Sequence, residues 1–296
     1  MRIDLHTHSH VSDGTDAPQD LVRLAAQAGL DVVALTDHDT AAGWAPAVEA
    51  AHEVGITLVR GMEISTRHHD LPGRPGVHLL AYLPDPTYPP LVEELGRILD
   101  GRQGRVPAML ELLREHGIEV SAEDVLAASG DAAATGRPHI ADALVTLGVV
   151  RDRGEAFERF LSAGRPAYVG RYAAPLTDML RTVTAAGGVS VIAHPWGRSR
   201  VERPDEADLA HLVEHGLAGI EVDHQDHSPQ ARDRLRAIGG NLGLVVTGAS
   251  DYHGAGKIDH DLGCQTTAPE ELERLLDLAA AAAEASGRTT PGVVRP

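Results

Sequence analysis

The chain has 296 residues, 43% of them hydrophobic and 23% charged, an ordinary composition for a soluble globular protein. Its formal net charge is −17, from 26 basic and 43 acidic residues, which argues against a basic surface for long double-stranded nucleic acid but allows a small anionic substrate in a local pocket. The sequence shows neither an apolar run long enough to span a membrane nor a signal-peptide core, so we expect a cytoplasmic protein without a membrane partner. Cys264 is the single cysteine, so we expect no internal disulfide.

Strands and helices alternate through the first part of the chain. A short strand runs into His6 and His8, whose side chains project to the same face because strand side chains alternate. Apolar runs predict three further strands near 31–36, 56–60 and 77–83. A helix is predicted from Pro18 to a stop at Gly29, before the strand at 31–36. Another helix is predicted over 44–54.

From about residue 100 the alternation stops, and the patterns are helical. The segment 121–124 resembles a capping box, and Pro138 occupies a first-turn position of a further helix. These patterns predict a small helical domain over 100–164, inserted between barrel segments 1–99 and 165–286. The tail 287–296, rich in Thr, Pro and Gly, is predicted to be loose.

The alternation then resumes, with strands near 189–193, 219–222 and 244–248 and a last helix over 269–286. Seven strands alternating with helices predict a parallel α/β architecture. A closed barrel is favoured over an open sheet, because candidate ligands occur at nearly every strand's C-terminal end and these ends converge only in a barrel.

Six imidazoles and three carboxylates form the candidate metal-binding set: His6, His8, Asp13, His38, Glu63, His78, His194, Asp251 and His253. Each has a structural alternative, such as a turn residue, a helix cap or a core histidine. Nitrogen and oxygen ligands without thiolate suit manganese, iron or zinc better than copper(I) or an iron–sulfur cluster. Nine ligands exceed the needs of one ion, so the sequence predicts two or three divalent cations.

The order of these motifs resembles the PHP (polymerase and histidinol phosphatase) family. The matching segments are HTH at 6–8, TDHD at 36–39, GMEIS at 61–65, AHP at 193–195 and SDYHG at 250–254, and GRPHIA at 136–141 is similar to the subgroup of 3′,5′-nucleotide bisphosphate phosphatases and RNA 5′-end exonucleases. The resemblance implies an α/β fold, a distorted (β/α)7 barrel with a small inserted helical domain, and a trinuclear site.

The resemblance also implies a grouping of the ligands. His6, His8, Glu63 and Asp251 would hold one metal and His38, His78 and Glu63 a second, and Asp13, His194 and His253 would complete the set around a third ion and the first. The alignment at His78 leaves His68 and His69 open as alternatives. Manganese is the expected metal, with iron or zinc as alternatives.

A metal-activated hydroxide is the expected nucleophile for a phosphomonoester, with Asp13, His194 or His253 as candidate proton donors to the leaving group. Arg137, His139, Arg198 and Arg200 are predicted to bind a substrate phosphate, since arginine pairs bidentately with phosphate. Solvated surface arginines are the structural alternative. A second bound phosphate would explain a preference for nucleoside 3′,5′-bisphosphates, with a 5′-mononucleotide as product.

Three other functions stay open on the sequence. The chain could be a 5′→3′ exonuclease on short RNA, a histidinol phosphatase, or a metal-dependent accessory binding module without activity. The complete ligand set argues against the last of these, because a degenerate module would be expected to lose ligands.

Overall fold

The computed structural model describes residues 1–68, 76–130, 132–197 and 203–296. Its strands are β1 (Ile3–Asp4), β2 (Val32–Leu35), β3 (Thr57–Arg67), β4 (Val77–Tyr82), β5 (Ala174–Pro175), β6 (Val189–Ile192), β7 (Leu217–Asp223) and β8 (Val245–Gly248). Its helices are α1 (Pro18–Gln27), α2 (Trp44–Val54), α3 (Pro89–Gly104), α4 (Val106–Glu115), α5 (Ala122–Ser129), α6 (Arg137–Thr146), α7 (Arg153–Ala156), α8 (Leu176–Ala185), α9 (Glu206–Val213), α10 (Pro229–Leu242) and α11 (Pro269–Ser286).

Seven strands form one sheet in the order β1-β2-β3-β4-β6-β7-β8, and the short β5 pairs with the end of β3. An isolated parallel bridge between Thr7 and Tyr252 joins the segment after β1 to the segment after β8. The sheet is therefore nearly closed into a barrel, and the predicted seven-stranded barrel is confirmed.

The prediction of a wholly parallel sheet was wrong at β4, which pairs antiparallel with both β3 and β6. Only residues 68–76 separate β3 from β4, and a parallel pair needs a crossover of a dozen or more residues. Because β4 runs in the opposite direction, its N-terminal end lies at the barrel edge where the other strands end. His78, the second residue of β4, therefore reaches this edge opposite Ser65.

Two hydrophobic clusters hold the barrel together. One gathers strand side chains such as Ile3, Val59 and Leu80 with Leu272 and Leu275 of α11. The other lies between the strands and the helices α1, α2, α8, α9 and α10. The strands thus bury side chains on both faces, as their nearly continuous apolar runs require.

A third hydrophobic cluster lies wholly within 106–167 and is built from α4 to α7 and the π-helical turn Phe157–Leu161. The predicted capping box is confirmed at the start of α5, where Ser121 Oγ accepts the Asp124 N–H and Asp124 Oδ2 accepts the Ser121 N–H. The predicted domain boundary at residue 99 lies inside α3, and the division into domains stays a prediction.

The tail that the sequence predicts to be loose contacts the barrel. Val294 is buried and exchanges two backbone hydrogen bonds with Leu58 of β3, at 3.0 Å each. Burial of its apolar side chain favours packing of this segment against the barrel, although the Pro- and Gly-rich composition around it predicted a loose tail. Among the helices of the described ranges, none combines the length and the apolar composition needed to span a membrane.

Candidate metal centre

All nine predicted ligands meet at the barrel edge described above. The segment after β1 carries His6, His8 and Asp13, whereas Glu63 lies in β3 and His78 in β4. His38 follows β2, His194 follows β6, and Asp251 and His253 follow β8. Eight of the nine are buried, and the His78 side chain is 24% exposed. Buried histidines and carboxylates at one edge need partners that offset their polarity.

The first group consists of His6, His8, Glu63 and Asp251. The two Nε2 atoms lie 3.0 Å apart, and Glu63 Oε2 lies 3.4 Å from that of His6 and 3.2 Å from that of His8. Asp251 Oδ1 lies 3.6 Å from both nitrogens. Four donors bound at about 2.1 Å around one tetrahedral ion would be spaced about 3.4 Å apart. His6, His8 and Asp251 therefore fit a single transition-metal ion, and Glu63 contacts both histidines of this group.

A second group uses the other oxygen of the same glutamate. Glu63 Oε1 lies 2.8 Å from His78 Nδ1 and 3.2 Å from His194 Nε2. Glu63 Oε2 also lies 3.1 Å from His38 Nδ1. Glu63 can thus bridge two cation positions, as the resemblance implied.

Asp13 is the centre of a third group. Its Oδ1 lies 3.3 Å from His253 Nε2 and 3.8 Å from His8 Nδ1, and its Oδ2 lies 3.6 Å from His38 Nε2. His8 and His38 therefore each present one ring nitrogen to this group and the other to Glu63. The donor atoms of these four residues all lie within 4.8 Å of one another.

The geometry places His194 beside Glu63 and His78, whereas the resemblance had grouped it with Asp13 and His253. It also places His38 between the second and third groups. His78 contacts Glu63 directly, and His69, one of the two alternatives considered for it, lies outside the described residues. The ligand roles themselves stay proposals.

The charges at this edge favour cations. Burial alone would raise the pKa of Glu63 and Asp251, but the histidines around Glu63, and Lys257 and His6 beside Asp251, hold both well below their ordinary values. Burial lowers the pKa of His38 to about 3 despite the nearby carboxylates. Ionised carboxylates and neutral imidazoles are the forms that bind metals.

His6 shows how much negative charge is concentrated here. Burial would lower its pKa, yet the charges of Asp251, Glu221 and Glu63 raise it well above the ordinary value. Positive charge is thus favoured at this point, either as a proton or as a cation. A divalent ion bound at the first group would offset this negative charge.

Sequence reasoning missed Glu221, a fully buried carboxylate in β7. Its Oε1 lies 3.0 Å from His6 Nδ1, and its Oε2 accepts the His194 backbone N–H at 2.8 Å. The available signal was an acidic residue inside an apolar strand. Such a residue must find a partner in the interior.

Two further residues hold Asp251 from behind. His224 Nε2 lies 3.2 Å from Asp251 Oδ2, and Lys257 Nζ donates to the same oxygen. Lys257 is the only lysine in the sequence, against 25 arginines, and this was the signal that could have identified it. Residues in this position orient metal ligands and tune their basicity.

Four arginines gather beside the centre, between the barrel and the helices: Arg102, Arg105, Arg137 and Arg171. Arg102 donates to Asp39 Oδ2 at 2.7 Å and to Ser65 Oγ at 2.8 Å, and Arg171 donates to Ser65 Oγ at 2.7 Å. We call these four residues the arginine cluster.

The arginine cluster concentrates positive charge in a buried setting. Burial, followed by the charges of the other three arginines, lowers the pKa of Arg105 to about 8. Burial and the neighbouring charge of Arg102 lower that of Arg171 to about 9. Arg105 Nε is buried, and the described part of the chain offers it no hydrogen-bond partner. An anion would relieve this repulsion.

The predicted phosphate-binding residues fall into two sets. Arg137 joins the arginine cluster, and His139 lines a cavity together with Asp13, His38 and Arg102. Arg198 and Arg200 lie outside the described residues. Arg102, Arg105 and Arg171 were missed, because nothing local in the sequence distinguishes them from surface arginines.

Comparisons with known proteins agree with this geometry. A family model described as the PHP domain matches residues 4–142. The chain is 34% identical over 265 residues to a 3′,5′-nucleoside bisphosphate phosphatase of Chromobacterium violaceum, covering 88% of this chain and 90% of that protein. It is also 34% identical over 252 residues to a 5′-3′ exoribonuclease of Haemophilus influenzae, covering 85% and 90%.

Solved structures give the same result. A protein of Bifidobacterium adolescentis, described as a candidate metal-dependent phosphoesterase, superposes with a TM-score of 0.87 at 35% identity, covering 93% of this chain and 96% of that one. The sequence similarity extends through nearly the whole length of both curated relatives. The chain therefore belongs to the PHP domain family of metal-dependent phosphoesterases.

Proposed function

We propose that the protein removes the 3′-phosphate of a nucleoside 3′,5′-bisphosphate and leaves a 5′-mononucleotide. The main support for this proposal is that two oppositely charged regions, the metal centre and the arginine cluster, lie next to each other. Residues of both regions, Asp13 and His38 of the centre and Arg102 of the cluster, line one cavity. A substrate with two phosphates would place one phosphate at each region.

Two or three divalent cations, with manganese the first choice and iron or zinc as alternatives, would be held by the three groups described above. Such cations would neutralise phosphate oxygens and acidify a water molecule for in-line attack. We assign His6, His8, Glu63 and Asp251 to the first, and His78, His194 and Glu63 to the second. Asp13, His38 and His253 would serve the third.

The chain's own residues supply orientation and proton transfer. In the hydrolysis, the bond from phosphorus to the 3′-oxygen breaks as the bond to the water oxygen forms, and a proton must reach the leaving 3′-oxygen. Asp13, His194 and His253 remain the proposed donors of this proton, and Asp13 is the one of the three that lines the cavity. Because His38 and His253 hold the pKa of Asp13 well below its ordinary value, Asp13 would first accept the proton that the attacking water loses and then pass it to the 3′-oxygen.

The arginine cluster would hold the 5′-phosphate. Guanidinium groups bind phosphate bidentately and retain their charge when buried better than a lysine would. Arg105 has no carboxylate among the partners described for its side chain, whereas Asp39 pairs with Arg102 and also interacts with Arg171. The charge of Arg105 is therefore available to a ligand, and one carboxylate offsets only part of the charge of Arg102 and Arg171.

A 5′→3′ exonuclease on short RNA is the second candidate. A 5′-phosphorylated strand also presents a phosphate to the arginine cluster, and the next phosphodiester would then lie at the metal centre. The exoribonuclease similarity of this chain supports this alternative. Histidinol phosphate fits less well, because its single phosphate leaves the arginine cluster without an anion and its amine is cationic.

The test compares three substrates with the manganese-loaded protein: adenosine 3′,5′-bisphosphate, histidinol phosphate and a short 5′-phosphorylated RNA. We expect inorganic phosphate and AMP from the bisphosphate, at the highest kcat/KM of the three. Stepwise release of mononucleotides from RNA at a higher kcat/KM would replace the proposal with the exonuclease. A preference for histidinol phosphate would overturn the assigned role of the arginine cluster.

A further inference from the structure

We propose that Glu221 is a positioning residue that orients two metal-ligating histidines, His6 and His194, and thereby couples the first and second cation positions. This inference rests on the metal-binding part of the proposed function. It needs no substrate, so it can be tested independently of the reaction.

Glu221 lies in β7 with no exposed surface. Its two oxygens serve two different partners, with Oε1 3.0 Å from His6 Nδ1 and Oε2 2.8 Å from the His194 backbone nitrogen. His6 belongs to the first group of ligands and His194 to the second. Besides Glu63, which contacts both groups directly, Glu221 thus links them from behind.

The contact with His6 selects the form of its imidazole. A carboxylate accepts a hydrogen bond, so His6 Nδ1 carries the proton and donates it. In the neutral ring that would bind a cation, His6 Nε2 then keeps its lone pair and points towards Glu63 Oε2 and Asp251 Oδ1, at 3.4 and 3.6 Å. This is the tautomer that can bind a cation, and a partner on the far nitrogen is the usual means of fixing it.

The contact with His194 acts through the backbone. His194 has a φ of 31°, in the left-handed region that residues with a side chain seldom adopt. Its buried Nδ1 has no hydrogen-bond partner in the described ranges, so the ring is not oriented through that nitrogen. The N–H bond to Glu221 therefore stabilises the turn that directs His194 Nε2 to Glu63 Oε1, at 3.2 Å.

A Glu221→Gln substitution separates these contacts with little change in volume. Glutamine has one acceptor oxygen and one NH₂ group, so it cannot accept hydrogen bonds from both His6 and His194. Whichever contact it keeps, the other ligand loses its support, and the effect should reach both cation positions because Glu63 contacts the ligands of both. Replacing a partner of this kind typically costs about 10–100-fold in metal affinity.

The experiment titrates metal-stripped protein with manganese against a chromophoric chelator and counts bound metal by elemental analysis. In Glu221→Gln we expect the affinity at two cation positions to fall by about 10–100-fold, with the position near Asp13 unchanged. Glu271→Gln is the matched control, because Glu271 accepts the Val246 backbone N–H at 3.0 Å near the start of β8. The control should bind manganese like the wild type.

An imidazole ¹H–¹⁵N spectrum of the metal-free protein gives a second readout that a merely structural role would not change. The wild type should show a slowly exchanging His6 Nδ1–H, and Glu221→Gln should lose it or shift it. If that variant does not fold, Glu221→Asp takes its place, because it keeps the charge but is one methylene shorter. The same loss in affinity is expected.

Wild-type affinity at both positions in a folded Glu221 variant would overturn the inference. A loss at one position alone would overturn the coupling. If the wild type itself bound no divalent metal, the metal-binding part of the proposed function would fail first, and the inference with it.

Discussion

The metal centre and the arginine cluster are neighbours with opposite properties. The centre is built from histidines and carboxylates at strand ends, in short motifs such as HTH at 6–8 and SDYHG at 250–254. The cluster draws Arg102 from α3, Arg137 from α6 and two further arginines from connecting segments. The geometry of the barrel positions the metal centre, because the strand ends meet at one edge. The arginine cluster is positioned by packing of the helical segment against the barrel.

This difference suggests a division of roles. The negatively charged centre would attract cations and carry out the same chemistry on many phosphate esters. The positively charged cluster would select the ester by its second anion. The following changes, from the largest expected effect to the smallest, test that division.

Glu63→Gln should have the largest effect, because Glu63 contacts ligands of two groups. We expect phosphatase activity to fall by more than roughly 100-fold, since even residues behind the ligands cost about 10–100-fold. Bound metal should fall by at least one equivalent in elemental analysis. An active variant with full metal content would show that Glu63 does not bridge two positions.

Neutralising the arginine cluster should affect ligand binding and intrinsic stability in opposite directions. In Arg105→Met, we expect the metal-free protein to unfold at the same or a higher temperature, because a buried charge beside like charges is removed. Inorganic phosphate should stabilise the wild type by about 2.7 kcal/mol at 100 times its Kd, and the variant by much less. Calorimetry of both proteins with and without phosphate provides the measurement.

Arg114→Met is the control for that experiment, since Arg114 is exposed on α4 and pairs with Glu111. It should keep the phosphate response of the wild type. Equal stabilisation of the Arg105→Met and wild-type proteins by phosphate would show that the arginine cluster does not bind phosphate.

Lys257 offers a smaller test of the centre. Lys257→Met leaves Asp251 without its cationic partner, and we expect the manganese affinity of the first position to fall by about 10-fold, at the lower end for residues behind a ligand. Lys257→Arg should recover part of the loss, because it restores the charge. An unchanged affinity in Lys257→Met would mean that His224 alone is sufficient to orient Asp251.

The smallest effect is expected away from both regions. Ser121→Ala removes the cap of α5 and should cost about 1 kcal/mol of stability. The expected shift in melting temperature is about 2 °C, since the shift per kcal/mol decreases as the chain becomes longer. Activity and metal content should not change. A loss of activity would indicate that the helical segment influences the centre through its stability.

Much of the centre could be predicted from the sequence because each ligand follows or lies in a strand that is itself readable from its apolar run. Helix bounds such as Trp44–Val54 and Pro269–Ser286 were predictable from capping signals and apolar periodicity. The antiparallel direction of β4 was not read from the pattern, because the predicted strands 56–60 and 77–83 leave enough residues between them for a crossover, whereas β3 in the structure extends to Arg67.

The supporting residues were harder to predict. Glu221 and His224 act through contacts between residues far apart in the chain, 215 residues in the case of Glu221 and His6. The arginine cluster depends on how α3 and α6 pack against the barrel. Sequence patterns describe the periodicity of one element and do not specify which buried faces of distant elements meet.

The most direct test of the division of roles is a ratio of kcat/KM values, for adenosine 3′,5′-bisphosphate over adenosine 3′-monophosphate. We predict a large ratio for the manganese-loaded wild type. In the Arg105→Met, Arg171→Met double variant, we predict that the ratio falls by at least 10-fold, since a hydrogen bond to a charged group is worth about 1.5–3 kcal/mol. The same ratio in both proteins would contradict the account.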